Sequence, residues 1–309
     1  MKNRIMQMLV DEIEPLSGEE ISRRLSISRV AVWKHIQGLK KSGVDVQSTS
    51  KGYRLTGSVD TPFPWQFGAR SARIHYHAEV DSTMNLARDL ATTGCPHFSV
   101  VVADKQSAGR GRLQRNWLSA EGGLYFSMVL RPDLLPREAP LVNLAVALEV
   151  VATLEACCGI RAAVKWPNDV LVDERKIAGI LSQMEMEGES LTFLNIGVGV
   201  NLNNAPEIAD KPAVSVLQLT GRRAPRAIVL AAFLDRFEQR LANFSRAAVV
   251  RDWKEKNITL GRRVTIATAR EAHEGLAVDV DDDGGLVLQS EDGSRQTVFH
   301  GDCFHSPPS

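Results

Sequence analysis

The pattern of apolar and polar positions divides the chain into three unlike stretches. In the first, Ile5, Met8, Leu9 and Ile13 recur at helical spacing. Ser17-Gly18-Glu19-Glu20 reads as an N-cap followed by first-turn acids, opening a helix through Ile21, Arg24 and Leu25. Beyond Ser26-Ile27, Ser28 caps a third helix running from Arg29 to Lys40. After Gly43, residues 44–48 and 52–55 read as short strands around Thr49-Ser50-Lys51. Two short helices joined by a tight turn and followed by a hairpin predict a winged helix-turn-helix over 1–56. Thr61-Pro62-Phe63-Pro64 marks a stiff linker over 57–70.

The second stretch, 71–258, mixes the two periods. Arg73–Glu79, Phe98–Ala103 and Leu124–Leu130 read as strands, the last entered through a Gly122-Gly123 turn. Leu141–Cys158 is strongly apolar at helical period and predicts a core helix. Ala162–Val164 is a strand leading into Lys165-Trp166-Pro167-Asn168-Asp169. Arg175–Met184 and Leu191–Val200 read as paired strands, and Ala227–Phe244 and Val249–Lys256 as helices. Such hairpins argue for a mixed sheet with helices on one side, not a doubly wound fold. From Leu260 onward, short runs at 264–266, 276–280, 286–288 and 297–299 alternate with Gly/Asp turns, which predicts a small β-barrel over 259–309. The fold class is α+β.

Composition narrows the field. The chain has 309 residues, 44% hydrophobic and 24% charged, which excludes a disordered chain and allows two or three domains. No apolar run reaches membrane-spanning length and the start lacks a signal-peptide core, so the expected location is the cytoplasm. Net charge is zero, yet residues 1–56 carry ten Lys/Arg against six acids, a net of +4 that suits a polyanion. Ser28, Arg29 and Lys34 on the reading helix and Lys51 in the wing are placed for base or phosphate contact, the alternative being a helical hairpin for protein contact. Four cysteines without a C-x-x-C pair predict reduced, mostly buried thiols. His75 and His77 share a strand face but lack a third ligand, so no metal site is expected.

The candidate chemistry centres on Asp104-Lys105-Gln106-Ser107-Ala108-Gly109-Arg110-Gly111-Arg112-Leu113-Gln114-Arg115-Asn116-Trp117. A loop anchored between two strands, with glycines that admit close approach and three arginines, suits a phosphate or carboxylate. On its own it also reads as a solvated basic loop. It is not a P-loop, and Ile196-Gly197-Val198-Gly199-Val200-Asn201 lacks the third glycine of a dinucleotide fingerprint. Ser82 and Thr83, at a helix start, either cap it or face a small polar ring. Lys165, locked by Trp-Pro at the end of a strand, is either part of a structural turn or aimed at a phosphate.

Gln106 through Arg112 up to Trp117, the Lys165–Asp169 run and Asp81-Ser82-Thr83 together resemble the biotin–protein ligase family. The Ser28–Ile36 helix and the Lys51–Leu55 wing resemble the DNA-binding domain of its bifunctional members, which also repress biotin synthesis genes. The resemblance implies a class II synthetase-like catalytic domain and an SH3-like C-terminal barrel. It implies synthesis of biotinyl-5'-AMP from biotin and ATP with Mg2+, then transfer to a lysine of a biotin carboxyl carrier protein. Under it, Ser82, Thr83, Met84, Gln106, Gly109, Arg110, Gly111, Arg112, Lys165 and Gly179 hold biotin, with Arg110, Arg112 and Lys165 catalytic. Arg110, Arg112, Arg115, Trp117, Asn168, Lys176 and Asn201 hold ATP or the adenylate. Operator DNA and a homodimer formed on adenylate binding complete the expected partners. Leu113-Gln114 departs from the family's Gly-Arg-Gly-Arg-x-Gly-Arg. A lipoate or octanoate ligase and a non-catalytic biotin sensor are the rival readings.

Overall fold

The computed structural model describes residues 1–41, 44–56, 60–131, 135–206, 212–268 and 270–306; Gly43, Gly57 and Ser58 of the predicted hairpin and linker, and the last three residues, lie outside these. Helices α1 (Lys2–Asp11), α2 (Gly18–Leu25) and α3 (Arg29–Lys41) precede a hairpin of β1 (Val46–Thr49) and β2 (Gly52–Leu55). Ser17 Oγ accepts the Glu20 N–H and Ser28 Oγ accepts the Ala31 N–H, so both helices start on a capped donor. Ile5, Met6, Leu9, Ile21, Leu25, Val32, Ile36 and Leu39 form the core. Met6 completes the inner face of α1. Ile13, expected there, lies past the end of the helix and is 91% exposed.

The linker is packed. Phe63 is buried in the winged-helix core and Phe67, four residues on, in the central core. Between and beyond them Pro64–Arg73 winds as 3-10 turns kinked at Phe67-Gly68. The Phe63 ring meets Tyr76 edge-on at 4.7 Å, so two domains share one aromatic contact.

The central sheet contains β3 (Ile74–Val80), β4 (Ser99–Gln106), β5 (Leu124–Leu130), β6 (Ala163–Lys165), β7 (Asp169–Val172), β8 (Arg175–Glu187) and β9 (Ser190–Val200). Its order is β3-β4-β5-β9-β8-β7-β6, with β3 and β4 parallel and every other pair antiparallel, a mixed sheet. The expectation of helices on one side needs correcting. Helix α4 (Thr83–Thr92) packs Ala87 and Ala91 on Val101, Val129 and Phe193. The alternate residues Val100, Val102, Phe126, Met128, Ile196 and Val198 belong to the core of α5 (Ala139–Cys158). After the short α6 (Val216–Thr220), α7 (Arg226–Ala242) and α8 (Arg246–Lys256) pack on α5. Because α5 lies between the sheet and these helices, it is apolar around its whole circumference. Contrary to the expectation that no apolar run reaches membrane-spanning length, it is, among the described residues, the one helix apolar and long enough to cross a membrane; Leu141 to Leu154 are almost all buried inside the protein.

The C-terminal strands β10 (Arg263–Ala267), β11 (Ala272–Val280), β12 (Leu286–Gln289), β13 (Arg295–Val298) and β14 (Asp302–His305) pair antiparallel in the order β13-β12-β11-β10-β14. No pairing joins β13 to β14, so the sheet is open and the expected SH3-like barrel is not formed. The physical reason is where its apolar face goes. Val264, Ile266, Ala277, Leu286, Leu288 and Val298 enter the same core as α5, so the central domain covers the face that a barrel would fold over on itself.

Candidate active site

A cavity of about 270 Å³ opens on the α4 face of the sheet, where four segments converge. The first is the start of α4. Ser82 and Thr83, 1% and 3% exposed, bring hydroxyls to the wall, and Ser82 Oγ accepts the Met84 N–H as a cap. Ser82 therefore caps the helix and also lines the cavity. Gln106 Oε1 accepts from Thr83 N (2.8 Å) and Thr83 Oγ1 (3.0 Å), while Gln106 Nε2 donates to Ser119 Oγ. A fixed carboxamide and two fixed hydroxyls thus line one end.

The second segment is the arginine loop, which crosses itself: Gly109 O accepts the Trp117 N–H, and a Cβ on Gly109 would meet Trp117 O at 2.4 Å. Each arginine has its own tether. Arg110 donates to Asn85 Oδ1 at 3.1 Å, Arg112 to Asn168 Oδ1 at 3.5 Å, and Arg115 forms an ion pair with Asp302. Hydrogen bonds from Asn85 and the Ser82 N–H hold the Asp81 carboxyl below its ordinary range, which leaves a charged anchor beneath Arg110's partner. Burial draws the Arg112 guanidinium below its usual value, with Asp302 and Asp169 acting against it.

The floor is the third part. Gly179 and Gly199 are register partners on β8 and β9, and the Trp117 indole lies on both. A Cβ on Gly199 would sit 2.6 Å from the ring and one on Gly179 2.9 Å, so only glycine fits. Met84 lies likewise on Gly197. Lys176 stands 5.1 Å from the Trp117 ring centroid and pairs with Asp169 at 2.5 Å. The fourth part is the turn after β6. Trp166, 1% exposed, donates its N–H to Thr259 Oγ1 and its Nε1 to Gly284 O, and Asn168 Nδ2 donates to Ile180 O.

Of the residues singled out from the sequence, Ser82, Thr83, Met84, Gln106, Arg110, Gly111, Arg112, Arg115, Trp117, Asn168, Lys176 and Gly179 come together along this cavity. Gly109, Lys165 and Asn201 do not. Gly109 serves the loop crossing. Asn201 is buried below Lys176, its Oδ1 accepting from Asn204. Lys165 is half-buried on β6, opposite Asp169 in register, and its charge acts on the Cys303 thiol and the His305 ring. Sequence reasoning missed Asp169's partnership with Lys176, and Asp302 and Cys303, which line the cavity from β14. Burial pushes the Cys303 thiol up to about 12, so it stays protonated. The four cysteines are free, but only Cys303 is buried, so the other three depart from expectation. Among the described residues no group of three His, Cys, Asp or Glu is placed for a metal.

Ser28, Arg29, Lys34 and Lys51 all lie exposed on α3 and the wing. The cavity thus carries hydroxyls and an amide at one end and guanidinium groups at the other, in a chain whose N-terminal stretch is a winged helix. The Biotin/lipoate A/B protein ligase family model matches residues 76–201, an HTH domain 2–54, and the Biotin protein ligase C terminal domain 259–306. The Bifunctional ligase/repressor BirA of Bacillus subtilis (strain 168) is 35% identical over 299 residues, 92% of each chain. The biotin protein ligase of Aquifex aeolicus, solved with biotin and ATP, superposes with a TM-score of 0.64 at 30% identity, over 76% of this chain and 99% of that one. The Leishmania major enzyme with biotinyl-5-AMP gives 0.53 at 26% identity, over 73% and 98%. The chain belongs to the biotin–protein ligases, in their bifunctional ligase/repressor form, and is an ATP-dependent enzyme.

Proposed function

We propose that the cavity binds biotin with its ring at the Ser82, Thr83 and Gln106 end and its carboxylate under Arg110 and Arg112. The observation that carries this orientation is the polarity of this cavity, neutral donors and acceptors at one end and cations at the other. A biotin carboxylate oxygen attacks the α-phosphorus of ATP, pyrophosphate leaves, and biotinyl-5'-AMP forms. The amine of a carrier-domain lysine then attacks the acyl carbon and AMP leaves. No protein nucleophile is needed, so the residues act by positioning and by stabilising charge. Arg110 and Arg112 close over the acyl phosphate, and Lys165 approaches the phosphate from the β14 side. Arg115, Trp117, Asn168 and Lys176 hold the nucleotide, with Asn201 supporting Lys176 from below. Mg2+ arrives with the phosphates of ATP as part of the substrate, since the carboxylates that line the cavity, Asp169 and Asp302, are already paired with Lys176 and Arg115.

The second activity is repression in the cytoplasm. The adenylate stabilises the loop, favours a homodimer, and pairs two winged helices on an operator through Ser28, Arg29, Lys34 and Lys51. The test of acid choice is incubation with Mg-ATP and equimolar biotin, lipoate and octanoate, followed by mass spectrometry of the bound adenylate. Biotinyl-5'-AMP alone is the expected product. Lipoyl- or octanoyl-adenylate in comparable yield would overturn the binding mode.

A further inference from the structure

Helix α3 buries Val32, Ile36 and Leu39 and turns Arg29, Val30, Trp33 and Lys34 outward. Two of these are out of character for a solvated face. Val30 is 62% exposed and Trp33 53% exposed, and neither packs on the winged-helix core. They are three residues apart, so they form one apolar ridge along the helix surface. Basic residues border that ridge, and the winged-helix stretch carries a net charge of +4, which matches a duplex rather than an apolar or basic protein partner. In the major groove, the apolar feature that distinguishes base pairs is the thymine C5-methyl group.

Resting on the repressor reading above, we infer that Trp33, with Val30 beside it, is a specificity-determining residue that packs against thymine methyl groups in the major groove. Arg29 and Lys34 on the same face supply phosphate or guanine contacts, and the ridge supplies discrimination that charge alone lacks. Burying one methyl corresponds to roughly a fourfold change in affinity.

The experiment uses the full chain with biotin and Mg-ATP. A random-sequence duplex library is enriched on the protein, and the winning duplex is remade with deoxyuridine replacing thymidine, which removes the methyl and keeps pairing. The wild type is expected to bind the uridine duplex about three- to tenfold more weakly. Trp33→Ala should bind both duplexes alike, and about as well as the wild type binds the uridine form, while Trp33→Phe keeps part of the discrimination. An equal thymidine-to-uridine penalty in the wild type and Trp33→Ala, or no penalty in the wild type, overturns the inference and leaves the repressor reading standing. Failure to enrich any duplex sinks the repressor reading and this inference with it.

Discussion

Replacing Arg226 with methionine tests how the arginine-loop strand is held from behind. Arg226 opens α7 and is 5% exposed. Its Nε donates to Asp60 Oδ2 at 2.9 Å, its Nη1 to Asp104 Oδ1 at 2.7 Å, and its backbone N–H to Asp60 Oδ1 at 2.8 Å. Tyr76 Oη donates to the other Asp104 oxygen at 2.6 Å; burial first, and Asp104 second, push its hydroxyl upward. One cation therefore serves a linker carboxylate and the carboxylate at the head of the loop. Methionine keeps the stem's volume but leaves two half-buried carboxylates facing each other, a loss of roughly 3–5 kcal/mol. At roughly 2–4 °C per kcal/mol, the thermal midpoint should fall by about 6–20 °C. Circular dichroism melts in one buffer measure it. The triple variant Arg226→Met, Asp60→Asn, Asp104→Asn removes the stranded charges and should recover much of the loss. A single variant that melts within 2 °C of wild type, or a triple variant no better than the single, would refute the reasoning.

Three further outcomes follow from the site. Gly199→Ala places a Cβ 2.6 Å from the Trp117 ring, which must lift by ~0.8 Å to reach ordinary contact, a strain of about 1–3 kcal/mol; the KM for ATP should rise about tenfold or more, and an unchanged KM would show that the berth is not used with nucleotide. Lys165→Ala should cut pyrophosphate release at least tenfold with the melting curve intact, whereas near-normal release would remove Lys165 from the chemistry. His305 is lowered to about 4, chiefly by burial and next by Lys165, against 6.5 when unfolded. Between those values the unfolded chain binds more protons, so stability falls as pH drops from 6.5 to 4, by at most about 3 kcal/mol. His305→Asn should flatten the melting temperature across that window, and an identical slope would assign the loss elsewhere.

The residues that converge on the cavity were legible where chemistry is local. The Ser82 cap, the arginine loop and the turn at Lys165 each carry their signature within a few neighbours, and the structure brings them together. Gly197 and Gly199 carried a local signal that went unread beside the incomplete dinucleotide fingerprint of their run: glycines two apart on a strand share a face and leave it flat. What no local pattern supplies is the partner across the fold. Asp302 reaches Arg115 from nearly 190 residues away, and Arg226 looks like any arginine at a helix start. Short alternating strands look alike whether a sheet closes on itself or lays its face on a neighbour, which is why the barrel was expected. The position of α4 was hidden for a related reason, since strands buried on both faces have no alternation to say which side a helix takes.

The open C-terminal sheet changes what holds the site. A closed barrel would fill its own interior and touch the central domain through loops. Here its apolar face is part of the central core, and its polar groups take up positions in the cavity wall. Trp166, which fixes the turn between Lys165 and Asn168, is pinned by Thr259 and Gly284, and Arg115 ends on Asp302. His305 bridges the same region, its Nδ1 facing Arg262 and its Nε2 facing Thr259, the residue that accepts from Trp166. The arginine loop and the lysine turn are therefore set by contacts with strands that lie far along the chain. Loosening that sheet must loosen the geometry of the cavity, because both draw on one set of hydrogen bonds and one core.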